Sequence, residues 1–373
     1  MKTVRQIYPL TSLRFFAAFC VVLHHTIENI VPALTAPGWP HRLQQFSGVT
    51  VLLFFILSGY VLAVAYLEQG APVVKKRFWI ARFARIYPLY FVTLALDAPN
   101  LFHYRLLKYG AKAALLKTSI SFAGSALLLQ QWFQRLRGID YPNWSLSVEA
   151  LFYLLFPFFG AQLWRLRLTT QCILAASLFF GIFGIQCLGN LRAVDPFAHI
   201  QPVTYLPYFV SGIVLHKIQL WIREDATRLA HWQRATPWLA LLTVVVLAVA
   251  CAAPHKVDLA IVPGLLFLPG FSLLLLCFSV GNRRIEALFS RPALVLLGES
   301  SYSLYLLHVI VWTWLFGYAR LPVNVGTYLL YLAVAILLSI ASFRFLEVPA
   351  RRRILRGWHQ RSPEPEVIAS IAQ

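Results

Sequence analysis

Charge is what this sequence has least of. Ordinary globular chains are about 25% charged. Here Asp, Glu, Lys and Arg together make up 13% of 373 residues, while 59% are hydrophobic and 15% aromatic. Long apolar runs with so few charges describe an integral membrane protein. Acid is the scarcer sign, with 14 Asp and Glu against 33 Lys and Arg, for a formal net charge of +19. That excess does not imply nucleic acid, because apolar runs separate the cations and leave no soluble face for a duplex. It fits a basic cytosolic surface beside anionic membrane lipid, and an anionic ligand. Cysteine is sparse as well. Cys20, Cys172, Cys187, Cys251 and Cys277 all lie in apolar runs, with neither CxxC nor zinc-ligand spacing. They read as small core residues, which excludes a disulfide framework and a metal site. No inverted repeat or pair of broken helices is visible, which argues against a secondary transporter. No stretch reads as a soluble catalytic domain, and the N-terminus lacks the small-residue cleavage site of a signal peptide.

A span needs about 20 mostly apolar residues. Ten stretches qualify: 10–28, 46–66, 86–103, 144–163, 172–189, 203–221, 236–253, 258–280, 295–316 and 326–346. An eleventh, 113–131, is interrupted by Lys117, Ser119, Ser121, Gly124 and Ser125. Loop charge decides its fate. If 113–131 does not cross and the N-terminus is cytosolic, one side collects Lys75, Lys76, Arg77, Arg82, Arg85, Arg283, Arg284 and Arg351 to Arg353. The short loops opposite hold only Arg42, Arg192, Lys256 and Arg320. The positive-inside rule therefore predicts an all-α protein of about ten spans with both termini cytosolic. Residues 104–143 become a long outer or re-entrant segment, and loops of that length are more often functional than connecting. Residues 1–353 form a single membrane domain, and 354–373 a disordered cytosolic tail.

The first span carries Leu13 to His25, with a cation near one end and two histidines near the other. At about 100° per residue, Arg14 and His25 lie within about 20° of one helical face and about 16 Å apart along the axis, while His24 falls about 80° away. Ionisable groups at membrane depth cost about 2.5–3.5 kcal/mol each on insertion scales, so they face a cavity or a partner. Two readings stay open. Arg14 either serves an inner cavity or snorkels to the interface, and His25 either does chemistry or hydrogen-bonds between helices. In the predicted orientation Arg14 lies in the inner leaflet and His25 in the outer half.

The fourth span runs the other way from Asn143-Trp144-Ser145-Leu146-Ser147-Val148-Glu149. Asn143 is placed as its N-cap, and the helix dipole tolerates Glu149 in the early turns. Glu149 falls about 8–10 Å below the outer face, the depth of His25. A carboxylate orienting a buried histidine is the arrangement of a general base; a structural pair closing two helices is the other reading. Tyr302, Tyr305 and His308 follow at i, i+3 and i+6, a polar stripe that is either catalytic or a hydrogen-bonded seam. Phe54-Phe55-Ile56-Leu57-Ser58-Gly59-Tyr60 reads as close helix packing through small residues. Arg82 and Arg85 stand one turn apart at the start of the third span, with Pro88 in its first turn. Their guanidinium forks suit phosphate, although anchoring at a basic membrane face also accounts for them. Glu347 precedes Arg351 by four residues, the spacing of an interfacial ion pair. His41, His103, His199, His216, His231, His255 and His359 fall mostly near predicted ends and are assigned nothing.

Taken together, these motifs resemble the acyltransferase-3 family of membrane acyltransferases. The resemblance rests on Arg14 and His25 with ten residues between, on Phe54 to Tyr60, and on Arg82 to Pro88. Asn143 to Glu149, Ser301 to His308 and Phe345-Leu346-Glu347-Val348-Pro349 extend it, all in family order over about residues 7 to 353. It implies a polytopic inner-membrane enzyme moving an acyl group, often acetyl from acetyl-CoA, to a hydroxyl of an envelope or exported carbohydrate. The family's arginine and histidine map onto Arg14 and His25, and its glutamate onto Glu149. Some relatives carry a further periplasmic hydrolase-like domain that is not seen here, which makes a single-component exopolysaccharide acetylase the nearest expectation. In the expected mechanism the phosphates of CoA meet Arg82 and Arg85, and the pantetheine arm passes Arg14. His25 then acts as general base or acyl relay, oriented by Glu149, with Trp144, Ser147, Tyr302, Tyr305 and His308 in support. The rival reading is a transporter or flippase of a glycan or lipid intermediate, with the same polar residues lining its path.

Overall fold

In a computed structural model of the chain, residues 7–31, 41, 47–68, 72–133, 136, 138–139, 141–191, 200–252 and 261–361 are described. Among them there is no strand. The helices are α1 (Tyr8–Thr26), α2 (Val51–Tyr66), α3 (Lys75–Tyr109), α4 (Ala111–Ala126), α5 (Trp144–Arg165), α6 (Leu168–Leu191) and α7 (Leu206–Arg223). They continue with α8 (Ala226–Ala252), α9 (Ile261–Val280), α10 (Arg283–Phe289), α11 (Pro292–Glu299), α12 (Ser301–Trp312), α13 (Val325–Ser342) and α14 (Val348–Arg361). Among the described residues six helices are long and apolar enough to cross a bilayer, or up to eight if each of two bent pairs is one span. The expected span 86–103 is helical within α3, and 203–221 runs from a 3-10 turn, Gln201–Tyr205, into α7. Residues such as Asp97 and Asn100 in one, and His216 and Lys217 in the other, make them too polar to be counted.

Two helix ends differ from the sequence expectation for local reasons. α3 begins at Lys75, after an extended Val74, and runs through Pro88 and Pro99 to Gly110. Pro88 therefore sits inside a helix and not in its first turn. Gly110, with φ +78°, occupies the left-handed region that glycine tolerates and so ends the helix. The chain turns back there into α4, which at 16 residues is about 24 Å long. Residues 104–126 thus turn back from α3 into α4, fastened by Tyr87 Oη to the Ala126 carbonyl at 3.0 Å and Arg105 to Ser121 Oγ at 3.0 Å. At the other end of the sequence, the span expected to end at residue 346 does not end there. A π-helical segment, Phe343–Glu347, passes directly into α14, so residues 354–361 of the expected disordered tail are helical. Residues 362–373 lie outside the described part.

Glycine sets the closest helix contacts. A Cβ on Gly59 would stand 2.0 Å from the Phe209 carbonyl oxygen, and one on Gly212 would stand 1.9 Å from that of Ile56. The backbones of α2 and α7 touch there, so the Phe54–Tyr60 run packs as its small residues predict. Gly298 does the same for α11 on α1, where a Cβ would meet the Thr11 carbonyl at 2.0 Å. Directly after it the chain bends by 63° between α11 and α12. The 295–316 stretch is therefore a broken helix, as is the one from α9 to α10, bent by 93°. The first break corrects the expectation of an uninterrupted span over 295–316, whereas the second falls just after the expected span 258–280.

Prolines inside helices leave carbonyls without their i+4 donor. At Pro157 the orphan is the Tyr153 carbonyl, and the Trp79 indole N–H donates to it at 2.9 Å. At Pro237 the orphan is the Gln233 carbonyl, which accepts from Asn282 Nδ2. The first of these ties α3 to α5 beside the cavity described next.

Candidate active site

A cavity of about 240 Å³ opens between α1, α2, α3, α5 and α12. Its charged end is walled by Arg14, Arg82, Arg85 and Glu149, with Ser58, Tyr153 and Tyr302. Phe54, Ser145 and Tyr305 line the opposite end. Each polar wall is placed by its helix. Arg82 is buried beside the rings of Tyr66, Phe78 and Tyr153, its guanidinium 5.8–6.0 Å from their centroids. Tyr302 Oη donates to the Ile86 carbonyl at 2.9 Å, holding α12 against the arginine turn of α3. Tyr153 Oη donates to Glu149 Oε1 at 2.7 Å, one turn along α5. None of Arg14, Arg82 or Arg85 closes to within 4 Å of that carboxylate.

His25 and His308 lie beyond the Tyr305 end. Their rings stack with centroids 5.2 Å apart and planes 11° off parallel, and His25 Nδ1 is 2.9 Å from His308 Nε2. His308 is fully buried, and its Nδ1 is 2.8 Å from the Tyr305 carbonyl. The carbonyl can only accept, which assigns the proton of neutral His308 to Nδ1 and makes its Nε2 an acceptor. His25 must then donate from Nδ1, and its lone pair falls on Nε2. A backbone carbonyl thus fixes, through His308, which nitrogen of His25 can take up a proton.

This overturns one pairing expected from the sequence. Glu149 does not hydrogen-bond His25; its carboxylate belongs to Tyr153 and the arginine end of the cavity. Equal predicted depth did not bring the two together, because depth leaves the angular position of each helix open. His24 packs instead over Gly48, where a Cβ would come within 2.8 Å of its ring. Trp144 packs with Phe55 and Tyr205, and Ser147 Oγ bonds the Leu128 carbonyl at 2.5 Å, so both face away from the cavity. Asn143 precedes α5 but makes no side-chain cap bond. Glu347 accepts from Ser303 Oγ and does not close on Arg351.

Tyr305 separates the two halves of the site. Its hydroxyl donates to the Pro142 carbonyl at 2.8 Å and lies 2.8 Å from Ser145 Oγ, which then donates to it. Ser145 and Tyr153 escaped the sequence reading, although Tyr153 at i+4 from Glu149 was a visible signal.

A family model for an acyltransferase domain, acyltransferase-3, matches residues 7–344. The chain belongs to that family. As an acyltransferase-3 protein it is an integral membrane O-acyltransferase, transferring an acyl group to a hydroxyl. It is 27% identical to acyltransferase MdmB of Streptomyces mycarofaciens, over 81% of this chain and 78% of that protein. It is 24% identical to O-acetyltransferase OatA of Staphylococcus aureus over 95% of this chain. The matched region spans 58% of the length of OatA. No solved structure matches this acyltransferase-3 chain.

Proposed function

We propose that the protein transfers acetyl from acetyl-CoA to a hydroxyl of a cell-envelope or exported carbohydrate, with His25 as general base. The observation that carries this reading is a cationic cavity leading up to a histidine pair whose tautomers are set by a backbone carbonyl. The phosphates of CoA bind at the arginine end, on the cytosolic side of an inner membrane, and the pantetheine arm extends past Arg14 toward Tyr305. For the thioester to reach His25, the Tyr305 hydroxyl leaves Pro142 and Ser145 during the cycle. His25 Nε2 takes the proton of the acceptor hydroxyl as its oxygen bonds to the thioester carbonyl carbon. The C–S bond then breaks, and the thiolate leaves with the proton from the imidazolium. His308 takes the orienting part that the sequence suggested for Glu149. Glu149 instead sets the charge balance beside Arg14.

The name of OatA supports an acetyl group, and the names of both relatives support acyl transfer over transport. Mass spectrometry of extracellular polysaccharide from a deletion strain tests the reading. Loss of the mass of one acetyl group, with polymer still exported, is expected. Loss of the polymer itself would instead support a transporter. A second result is expected from Arg14→Ala in purified enzyme: KM for acetyl-CoA rises about tenfold, the scale of a lost charge-assisted contact. An unchanged saturation curve would remove Arg14 from donor binding.

A further inference from the structure

Behind the cavity, and not among its lining residues, the start of α14 carries a fourth guanidinium. Arg351 is half-buried and lies within electrostatic range of Arg82, Arg85 and Glu347. Arg85 and Glu149 also act on Arg14, and Glu347 on Arg14 and Arg85, so the six groups form one electrostatic cluster. Its balance is uneven: among the described residues Arg14, Arg82, Arg85 and Arg351 face only Glu149 and Glu347. Neither acid makes a contact within 4 Å with any of the four. Both carboxylates are engaged elsewhere, Glu149 by Tyr153 and Glu347 by Ser303. The buried Nε atoms of Arg82 and Arg351 have no hydrogen-bond partner. Like charges gathered with idle donors cost stability in the empty protein, because buried polar groups are normally paired. A polyanion presenting several oxygens would remove that cost.

We propose that Arg351 completes a binding site for the phosphates of a nucleotide-bearing donor, clamping them from α14 opposite Arg82 and Arg85 on α3. The proposal rests on the reading that an acyl-CoA enters this end of the cavity. α14 is held in place to do so. It packs along α3, where Lys76 Nζ lies 4.6 Å from the centroid of the Trp358 ring. Phosphate oxygens bind guanidinium forks in pairs, so Arg and Lys are not equivalent at such a position. The same chemistry would also accept the phosphate of an anionic lipid headgroup, and the test separates the two sources.

Binding of CoA and of pantetheine, which lacks all the phosphates, is measured by calorimetry on the purified full chain in neutral-lipid nanodiscs. Arg351→Ala is expected to weaken CoA about tenfold and leave pantetheine unchanged, with Arg351→Lys between Arg351→Ala and the parent. Arg351→Gln, which keeps the side-chain bulk, serves if the alanine protein does not fold. Equal CoA affinity in a folded variant would overturn the proposal. So would CoA binding lost in nanodiscs of phosphatidylglycerol but not of neutral lipid, since that assigns the cluster to headgroups. A parent protein that binds neither CoA nor pantetheine would instead refute the acyl-CoA reading itself, which keeps the two failures apart.

Discussion

Purified His25→Ala protein is expected to lose acetyl transfer by about 10²–10⁴-fold, the usual worth of a positioned general base. Donor binding should survive, because the cavity that holds the donor ends at Tyr305 and does not include His25. The informative companion is His308→Phe. The ring volume remains, but His25 Nδ1–H loses its acceptor, and the tautomer that leaves the lone pair on Nε2 is no longer enforced. Loss of an orienting partner can cost up to about 10⁴ in kcat where the tautomer is wrong. A fall in kcat of at least about 10² is expected here, with KM for acetyl-CoA unmoved. His308→Gln offers a carbonyl oxygen to the same N–H and should recover part of the rate. If His308→Phe turned over like the parent, the relay from the Tyr305 carbonyl to His25 would have no catalytic part.

The second large effect is structural. Gly59 and Gly212 let α2 and α7 meet backbone to backbone, with no flexible side chain to give way: the atoms met at 2.0 and 1.9 Å are carbonyl oxygens. Overpacking in a filled core costs about 1–3 kcal/mol when side chains can adjust. Here a whole helix must move, so Gly212→Val should reach the upper part of that range or prevent folding. A lower melting temperature in detergent and a smaller yield of monodisperse protein are the expected results. Gly357→Ala on α14, where nothing lies within 4 Å, is the matched control and should melt like the parent. Equal melting of all three proteins would show that the α2–α7 contact is not tight in solution.

The sequence made the membrane class, the helical runs and the packing role of Gly59 legible, because each follows from local composition and spacing. It also placed Arg14, Arg82, Arg85, Glu149, Tyr302 and Tyr305, all of which the fold brings to one cavity. Partner choice was not legible. Helical pitch gives the depth of Glu149 and His25, but rotation about each helix axis depends on packing with several neighbours. Pro88 misled for a related reason. Proline usually marks a helix start, yet the bundle holds α3 continuous through two of them. The break after Gly298 had no clear sign, since Glu299 and Ser300 are ordinary helix residues. The bend lies directly after the point where Gly298 meets the Thr11 carbonyl.

The wall formed by Tyr305, Ser145 and Phe54 also shapes the electric field. Water filling the cavity carries the potential of its own side of the membrane as far as that wall. In a membrane whose one face the cavity meets, the voltage would then fall mainly beyond that wall, where His25 and His308 sit. Moving one elementary charge through 100 mV is worth about 2.3 kcal/mol. Arg14, inside the cavity, is shielded from most of this drop, whereas a proton arriving on His25 crosses part of it. An energised membrane and a detergent micelle therefore present the histidine pair with different proton affinities, although the protein is the same.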